Sequence, residues 1–492
     1  MKRYPYTRGS RRTGERGALS KRRNPVRLGA FVVLAFAAGV CHAAAQEASQ
    51  TLSPQEEAKI AKMLAESGVP SISVAIVENG ETSYVRAFGR ASMSPDRAAD
   101  RNTRYAVGSI SKQFTAAIVL LLAERGELSL DDRVGKYFPD LTRANEVTIR
   151  DLLSHTSGYE DYAPQDYNIP EWLKPTTPEA ILDKWAKKPL DFDPGTKWQY
   201  SNTNYVLAGR IAEKAAGQPL MAMLREKIFE PLGMTSAGDC SVDQTPDDAV
   251  AYTRYGLGPA RPALREAKGW YFAAGELCMT PADLAKWNIS FLKETILSPA
   301  SYEEFRREVR LKDGDYTHYA LGLHLGDLDN VPAISHSGEV SGFLATNWIF
   351  PTRNAAVTVL SNQDDIELVD PLAEEIARYL LEPERRQHPT EASAEELRQV
   401  RSMVEGLAQG RIDRALLTSN LDFYFNETAL RDMASSLGAL GAVKEVRRIR
   451  ESLRGGMRFR IYRVQFEKKA LLLTVYLMPD GRYEQFLPVE EF

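Results

Sequence analysis

The sequence predicts a mixed α/β fold: an antiparallel sheet flanked by helices with a helical region inserted into it, followed by a small α+β unit. Three features of the chain predict this. Paired β-prone apolar runs occur near residues 72–88 and again near 345–360, a long helical and loop-rich stretch separates them, and a Pro- and charge-rich segment at 382–392 precedes a last helix-then-strands run.

The first 27 residues carry ten Lys or Arg against the single acid Glu15, and an apolar run from Leu28 to Cys41 leads to Ala43-Ala44-Ala45. This is the layout of a secretory signal peptide, expected to span residues 1–45 with cleavage near Ala45, so the protein is expected to be exported, periplasmic or secreted. The apolar run is shorter than the ~20 residues a spanning helix needs, so the mature chain is not expected to be membrane-embedded. The pairs Arg11-Arg12 and Arg22-Arg23 leave a twin-arginine export route open beside the general one. Losing ten positive charges and one negative moves the formal net charge from -4 to -13. A balance that acidic argues against nucleic acid and anionic lipid surfaces as partners, because both select basic patches. Of the three cysteines only Cys240 and Cys278 lie beyond the signal. In an oxidising compartment they form either a disulfide or two buried thiols, and spacing does not choose between these.

From residue 46 to 381 one mixed domain is expected. Ile72 to Val77 and Thr82 to Phe88 flank Glu78-Asn79-Gly80-Glu81, the signature of a hairpin. Ala345 to Phe350 and Ala355 to Leu360 form a second pair across Pro351-Thr352-Arg353-Asn354. A sheet assembled from both ends of the domain accounts for that order most simply. After the 382–392 linker, residues 393–492 are expected to form an accessory domain. It opens with a Ser393-Ala394-Glu395-Glu396 capping box and a helix whose Leu397, Val400, Val404 and Leu407 recur at helical spacing. Four strands follow: Val443 to Leu453, Met457 to Phe466, Leu471 to Met478 and Tyr483 to Val489. Its arginines, Arg447, Arg448, Arg450, Arg454, Arg458, Arg460 and Arg463, are read as solvent-facing, since Arg458 and Arg460 alternate with Met457, Phe459 and Ile461; docking against the acidic preceding domain or an anionic polymer is the alternative. No repeat of 20–50 residues is present, which excludes a solenoid or propeller.

Three short motifs carry chemistry. Ser109-Ile110-Ser111-Lys112 precedes the apolar helical run Phe114 to Leu122, which puts Ser109 at a helix N-terminus with Lys112 one turn along the same face. A serine hydroxyl is a weak nucleophile at neutral pH, and a lysine kept neutral by burial can take its proton. Tyr200-Ser201-Asn202 opens a second helical stretch and can present a phenol and an amide to that pair. His336-Ser337-Gly338-Glu339 leads into a strand, where Gly338 would let a substrate lie close against an edge. Each alone has an ordinary structural explanation: a cap, a turn, a buried aromatic.

In that order the three motifs resemble those of the β-lactamase-related serine hydrolase superfamily, which includes class C β-lactamases, D-alanyl-D-alanine carboxypeptidases, D-aminopeptidases and related esterases. Leu152-Leu153-Ser154-His155-Thr156-Ser157-Gly158, Pro231-Leu232-Gly233-Met234, Ala274-Gly275-Glu276-Leu277 and Tyr319-Ala320-Leu321-Gly322 are similar to its supporting segments. The resemblance covers about residues 55 to 380. It implies a β-lactamase/transpeptidase-like fold in which Ser109 attacks an acyl carbonyl while Lys112 and Tyr200 move its proton. Asn202 would orient Lys112 and the substrate amide, the backbone N–H groups of Ser109 and Glu339 would form the oxyanion hole, and His155 would be structural. His336 stands where true β-lactamases carry the Lys of Lys-Thr-Gly. A histidine is largely neutral at pH 7 and Glu339 adds negative charge, so β-lactam hydrolysis is expected to be weak or absent.

The expected activity is therefore hydrolysis of an amide or ester in a small-molecule or peptide substrate, of D-alanyl carboxypeptidase or D-aminopeptidase type. A carboxylesterase and a non-catalytic penicillin-binding or sensor module are the alternatives. No Gly-x-Ser-x-Gly elbow is present. The six histidines lack metal-ligand spacing and no phosphate loop occurs, so no metal or other cofactor is expected. Oligomeric state is not legible in the sequence.

Overall fold

A computed structural model describes residues 52, 54–364, 368–381, 392, 394–454 and 456–490. The signal-peptide, capping-box and linker expectations fall largely or wholly outside them. The described elements belong to one compact unit.

The central sheet has seven antiparallel strands in the order Asp96–Ala98, Glu81–Met93, Ser71–Glu78, Ala355–Ser361, Phe343–Phe350, Val331–Val340, His324–Leu328. The first and last parts of residues 54–381 thus meet at its middle, where Ile72 pairs with Ser361 and Val77 with Ala356. The first hairpin closes through Asn79-Gly80, both in left-handed backbone (φ 53° and 73°), the geometry that two-residue hairpin loops require.

Alternation along the strands divides the interior. Ile72, Val74, Ile76, Val357 and Val359 pack beneath the terminal helices Pro54–Ser67 and Val369–Leu381. Ala75, Val77, Ala356 and Leu360 face the larger inserted helical layer. There the helix Ser111–Glu124, buried along nearly its whole length, is crossed by the helix Asn202–Ala216. An apolar helix buried on all sides is fixed in place, and so are the groups at its N-terminus.

The C-terminal strands run Val443–Arg454, Met457–Phe466, Ala470–Leu477 and Tyr483–Glu490 in simple antiparallel order, with the helix Ala394–Leu407 ahead of them. Two further helices not read from the sequence, Ser419–Tyr424 and Glu427–Gly438, complete their core. This unit is closely tied to the residues that precede it. Arg254 and Glu490 form a buried ion pair at 3.0 Å, Gln485 exchanges two 2.7 Å hydrogen bonds with Asp166, and Tyr167 inserts into the C-terminal core.

Candidate active site

Ser109 lies in a 3-10 turn, Gly108–Ile110, that feeds directly into the helix carrying Lys112. Lys112 is fully buried, and its Nζ has three oxygen partners: Ser109 Oγ at 2.9 Å, Asn202 Oδ1 at 2.8 Å and the Ala274 carbonyl at 2.8 Å. Burial pushes its pKa well below the ordinary lysine value; Asp161 opposes the shift and Arg454 adds to it. In the neutral amine the two N–H bonds go to the carbonyl oxygens, which only accept. The lone pair is left for the Ser109 hydroxyl.

Tyr200 precedes the helix Asn202–Ala216, with its phenol in contact with Ser109 and its ring 4.9 Å from Lys112 Nζ. Burial raises its pKa, so it stays a protonated phenol that can pass a proton but cannot serve as the resting base. The segment before it is held by the Ser-His-Thr-Ser-Gly stretch: Gln199 N–H donates to the His155 carbonyl, and Gly195 N–H to that of Thr156. His155, fully buried, accepts from Ser201 N–H through Nδ1 at 3.1 Å and packs its ring 4.3 Å from that of Tyr200. Burial and the Lys112 charge depress its pKa, which suits a neutral spacer.

Asn202 and His336 each have both polar ends engaged by the protein. The Asn202 amide donates to Asp161 Oδ1 at 3.1 Å and to the Ala163 carbonyl at 3.3 Å, so its NH₂ is turned toward the protein and only its carbonyl serves Lys112. His336 is buried, and burial, then His324 and Lys112, depress its pKa. Its Nδ1 lies 2.6 Å from the Ser337 carbonyl and must donate there, which leaves Nε2 to accept from Tyr319 Oη at 2.9 Å. Both ring nitrogens are thereby occupied, and the position supplies no positive charge.

Gly338 packs closely against the turn that carries Ser109. Its strand pairs with His324–Leu328 over residues 331–335. A Cβ on Gly338 would stand 1.9 Å from the Val107 carbonyl oxygen and 3.1 Å from Ser109 N; one on Gly108 would stand 2.7 Å from Glu339 N. Two glycines facing each other therefore bring the backbone nitrogens of Ser109 and Glu339 to the same place. Ser337 and Glu339 line the cavity above.

That cavity, about 340 Å³, opens over Ser109, Tyr200 and His336. Tyr162, Trp172, Trp198 and Tyr271 give it an aromatic wall; Asp166, Glu266 and Glu339 give it acids. The C-terminal sheet supplies Arg454, Phe459, Thr474 and Tyr476. Asp161 and Arg454 were not found from the sequence as site residues, and Tyr319 was read only as part of a supporting segment. Asp161 stands three residues past Gly158 with no spacing of its own, and Arg454 is 293 positions from its partner Asp161. The solvent-facing reading of the arginines fails at three positions: Arg454 enters the cavity, while Arg448 and Arg460 are paired with Glu396 and Glu451.

Cys240 and Cys278 are buried free thiols, with Arg104 donating to Cys278 Sγ at 2.6 Å. Among the described residues no cluster of metal-ligating side chains occurs, and no helix is long and apolar enough to cross a membrane.

The β-lactamase family model matches residues 57–381. Penicillin-binding protein 4* of Bacillus subtilis is 28% identical over 311 residues, covering 60% of this chain and 68% of that protein. A D-aminopeptidase of Brucella anthropi is 27% identical over 289 residues, 57% of this chain and 53% of the relative, so about half of that longer protein is spanned. Among solved structures, the octameric penicillin-binding protein homologue from Pyrococcus abyssi superposes with a TM-score of 0.60 at 22% identity, covering 88% of this chain and 99% of that one. A D-amino acid amidase from Ochrobactrum anthropi SV3, complexed with D-phenylalanine, gives a TM-score of 0.57 at 25% identity over 67% of this chain and 98% of its own.

Proposed function

The chain belongs to the β-lactamase family of serine hydrolases, and from that premise we propose that it is an exported peptidase or amidase of D-alanyl carboxypeptidase or D-aminopeptidase type, working through an acyl-serine intermediate on Ser109. The observation that carries this reading is the arrangement at Lys112 Nζ: buried, held by two carbonyl acceptors, with its remaining direction on Ser109 Oγ.

In the proposed reaction the Ser109 hydroxyl gives its proton to neutral Lys112 as Oγ bonds to the acyl carbon. The resulting oxyanion is met by the N–H groups of Ser109 and Glu339, where a single donor is commonly worth about 10²–10³ in rate. Collapse breaks the bond to the leaving nitrogen, which takes the proton from Lys112 by way of the Tyr200 hydroxyl. Water then hydrolyses the ester, with the same groups moving its proton in reverse order.

Weak or no β-lactamase activity is supported by His336. A neutral ring with both nitrogens engaged does not replace the lysine that would hold a substrate carboxylate. The acids Asp166, Glu266 and Glu339 in the cavity wall favour substrates without a carboxylate beside the scissile bond, which supports the D-aminopeptidase type ahead of the D-alanyl carboxypeptidase type. The reading is tested by comparing kcat/KM for D-amino acid amides, a D-alanyl-D-alanine peptide, p-nitrophenyl esters and a penicillin. Peptide or amide turnover well above penicillin turnover supports it; penicillin as the preferred substrate overturns it. Export is supported by the layout of residues 1–45, and residues 393–492 are proposed as a separate domain folded against the hydrolase.

A further inference from the structure

The C-terminal sheet reaches the centre of the site through one side chain. Arg454 ends the strand Val443–Arg454, and its backbone forms an isolated bridge with that of Tyr200. Its guanidinium carbon lies 5.0 Å from the centroid of the Tyr200 ring. Nε stands 3.3 Å from Asp161 Oδ2, Nη2 donates to the Ala163 carbonyl at 3.1 Å, and Nη1 lies 3.1 Å from Tyr476 Oη and 3.7 Å from Asp166 Oδ1.

Asp161 links this clamp to the motif residues. It is almost entirely inaccessible to solvent, and its Oδ1 accepts from both the backbone and the side-chain amide of Asn202, at 2.9 and 3.1 Å. Those two bonds fix which way the Asn202 amide faces, and with it the carbonyl that holds Lys112. A buried carboxylate without a countercharge would be costly, and it would pull Lys112 toward the ammonium form.

We propose that Arg454 is a positioning residue of the hydrolase centre, donated by the C-terminal unit, that fixes Asp161 and through it the Asn202–Lys112–Ser109 chain in its working geometry. The C-terminal unit is thus part of the catalytic centre, and the hydrolase region alone is incomplete. This rests on the acyl-serine reading given above.

The charged and titratable groups around Lys112 are Asp161, Arg454, Tyr200, Tyr205, His155 and His336. Of these, the two tyrosines and two histidines are held neutral by burial, so Asp161 and Arg454 are the charged pair that modulates the effect of burial on Lys112. Removing the Arg454 charge favours the ammonium form, and removing the Asp161 charge favours the neutral amine.

The test uses the full chain and measures the rate at which a fluorophosphonate probe labels Ser109 from pH 5 to 10, in wild type, Arg454→Gln, Arg454→Lys and Asp161→Asn. In Arg454→Gln the acid limb of the rate profile is expected to move up by about one pH unit, a tenfold loss at any fixed pH below the limb. Asp161→Asn is expected to move it down. Arg454→Lys keeps the charge but cannot span Asp161, Ala163 and Tyr476 together, so its limb stays in place while its plateau falls several-fold. A loss of thermal stability in Arg454→Gln with limb and plateau unchanged would overturn the proposal, since that is all a purely structural contact would produce. If Arg454→Gln does not fold, Arg454→Lys decides: an unchanged plateau overturns the positioning role. Absence of Ser109 labelling in the wild type at every pH would remove the acyl-serine reading itself, and this one with it.

Discussion

The Nζ of Lys112 stands 2.9 Å from the Oγ of Ser109, with the carbonyls of Asn202 and Ala274 occupying its other two directions. Burial and the Arg454 charge favour the neutral amine against the pull of Asp161, and the two carbonyls leave its lone pair for the hydroxyl.

Wild-type acylation should rise with pH through a single acid limb belonging to Lys112, lying well below the ordinary lysine value, because the neutral amine is the active form and burial depresses its pKa. No fall from tyrosine ionisation should follow up to pH 10, since burial raises the Tyr200 pKa. Pre-steady-state acylation rates across that range check both signs.

Lys112→Arg keeps a cation in the cavity but installs a guanidinium that does not give up its proton. Acylation should drop by about 10²-fold or more, the usual contribution of a general base. Circular dichroism should show the fold retained.

His336→Gln should lower kcat/KM without moving the acid limb, because the imidazole is already neutral there and its hydrogen bonds to Tyr319 and Ser337 are positional. A limb that vanishes in this variant would make His336, and not Lys112, the titrating group.

Gly338→Ala has no space for its methyl group, which would fall 1.9 Å from the Val107 carbonyl oxygen. The strand must shift off the nucleophile turn, at a cost of about 1–3 kcal/mol or more, and Glu339 N moves with it. Thermal unfolding should show the loss, and activity should fall further than stability does.

Brief proteolysis should nick the chain between residues 382 and 393, where Pro and charge are concentrated. The two fragments should stay associated, because Arg254–Glu490 and the Gln485–Asp166 bonds join them. Gel filtration of the nicked protein reads this directly.

The paired strands, the Asn79-Gly80 hairpin and the three motifs were legible because each is local: a period of two, a turn dipeptide, a Ser and a Lys one helical turn apart. The family assignment followed from their joint order and is borne out by the match over residues 57–381. What the sequence did not disclose is what long-range packing decides. Arg454 reads as one more alternating strand arginine until the sheet folds against Tyr200. Asp161 is an ordinary loop acid until Asn202 turns toward it. Gly338 reads as a glycine in a strand, and only the fold shows the backbone of Val107 and Ser109 packed against it.

The most direct test is intact-mass and peptide mapping of the protein quenched during turnover of a p-nitrophenyl ester and, separately, of a penicillin, in wild type and Ser109→Ala. The account predicts an acyl adduct on the peptide containing Ser109, short-lived with the ester, and neither adduct nor turnover in Ser109→Ala. Turnover that persists in Ser109→Ala, or an adduct on any other residue, would contradict it.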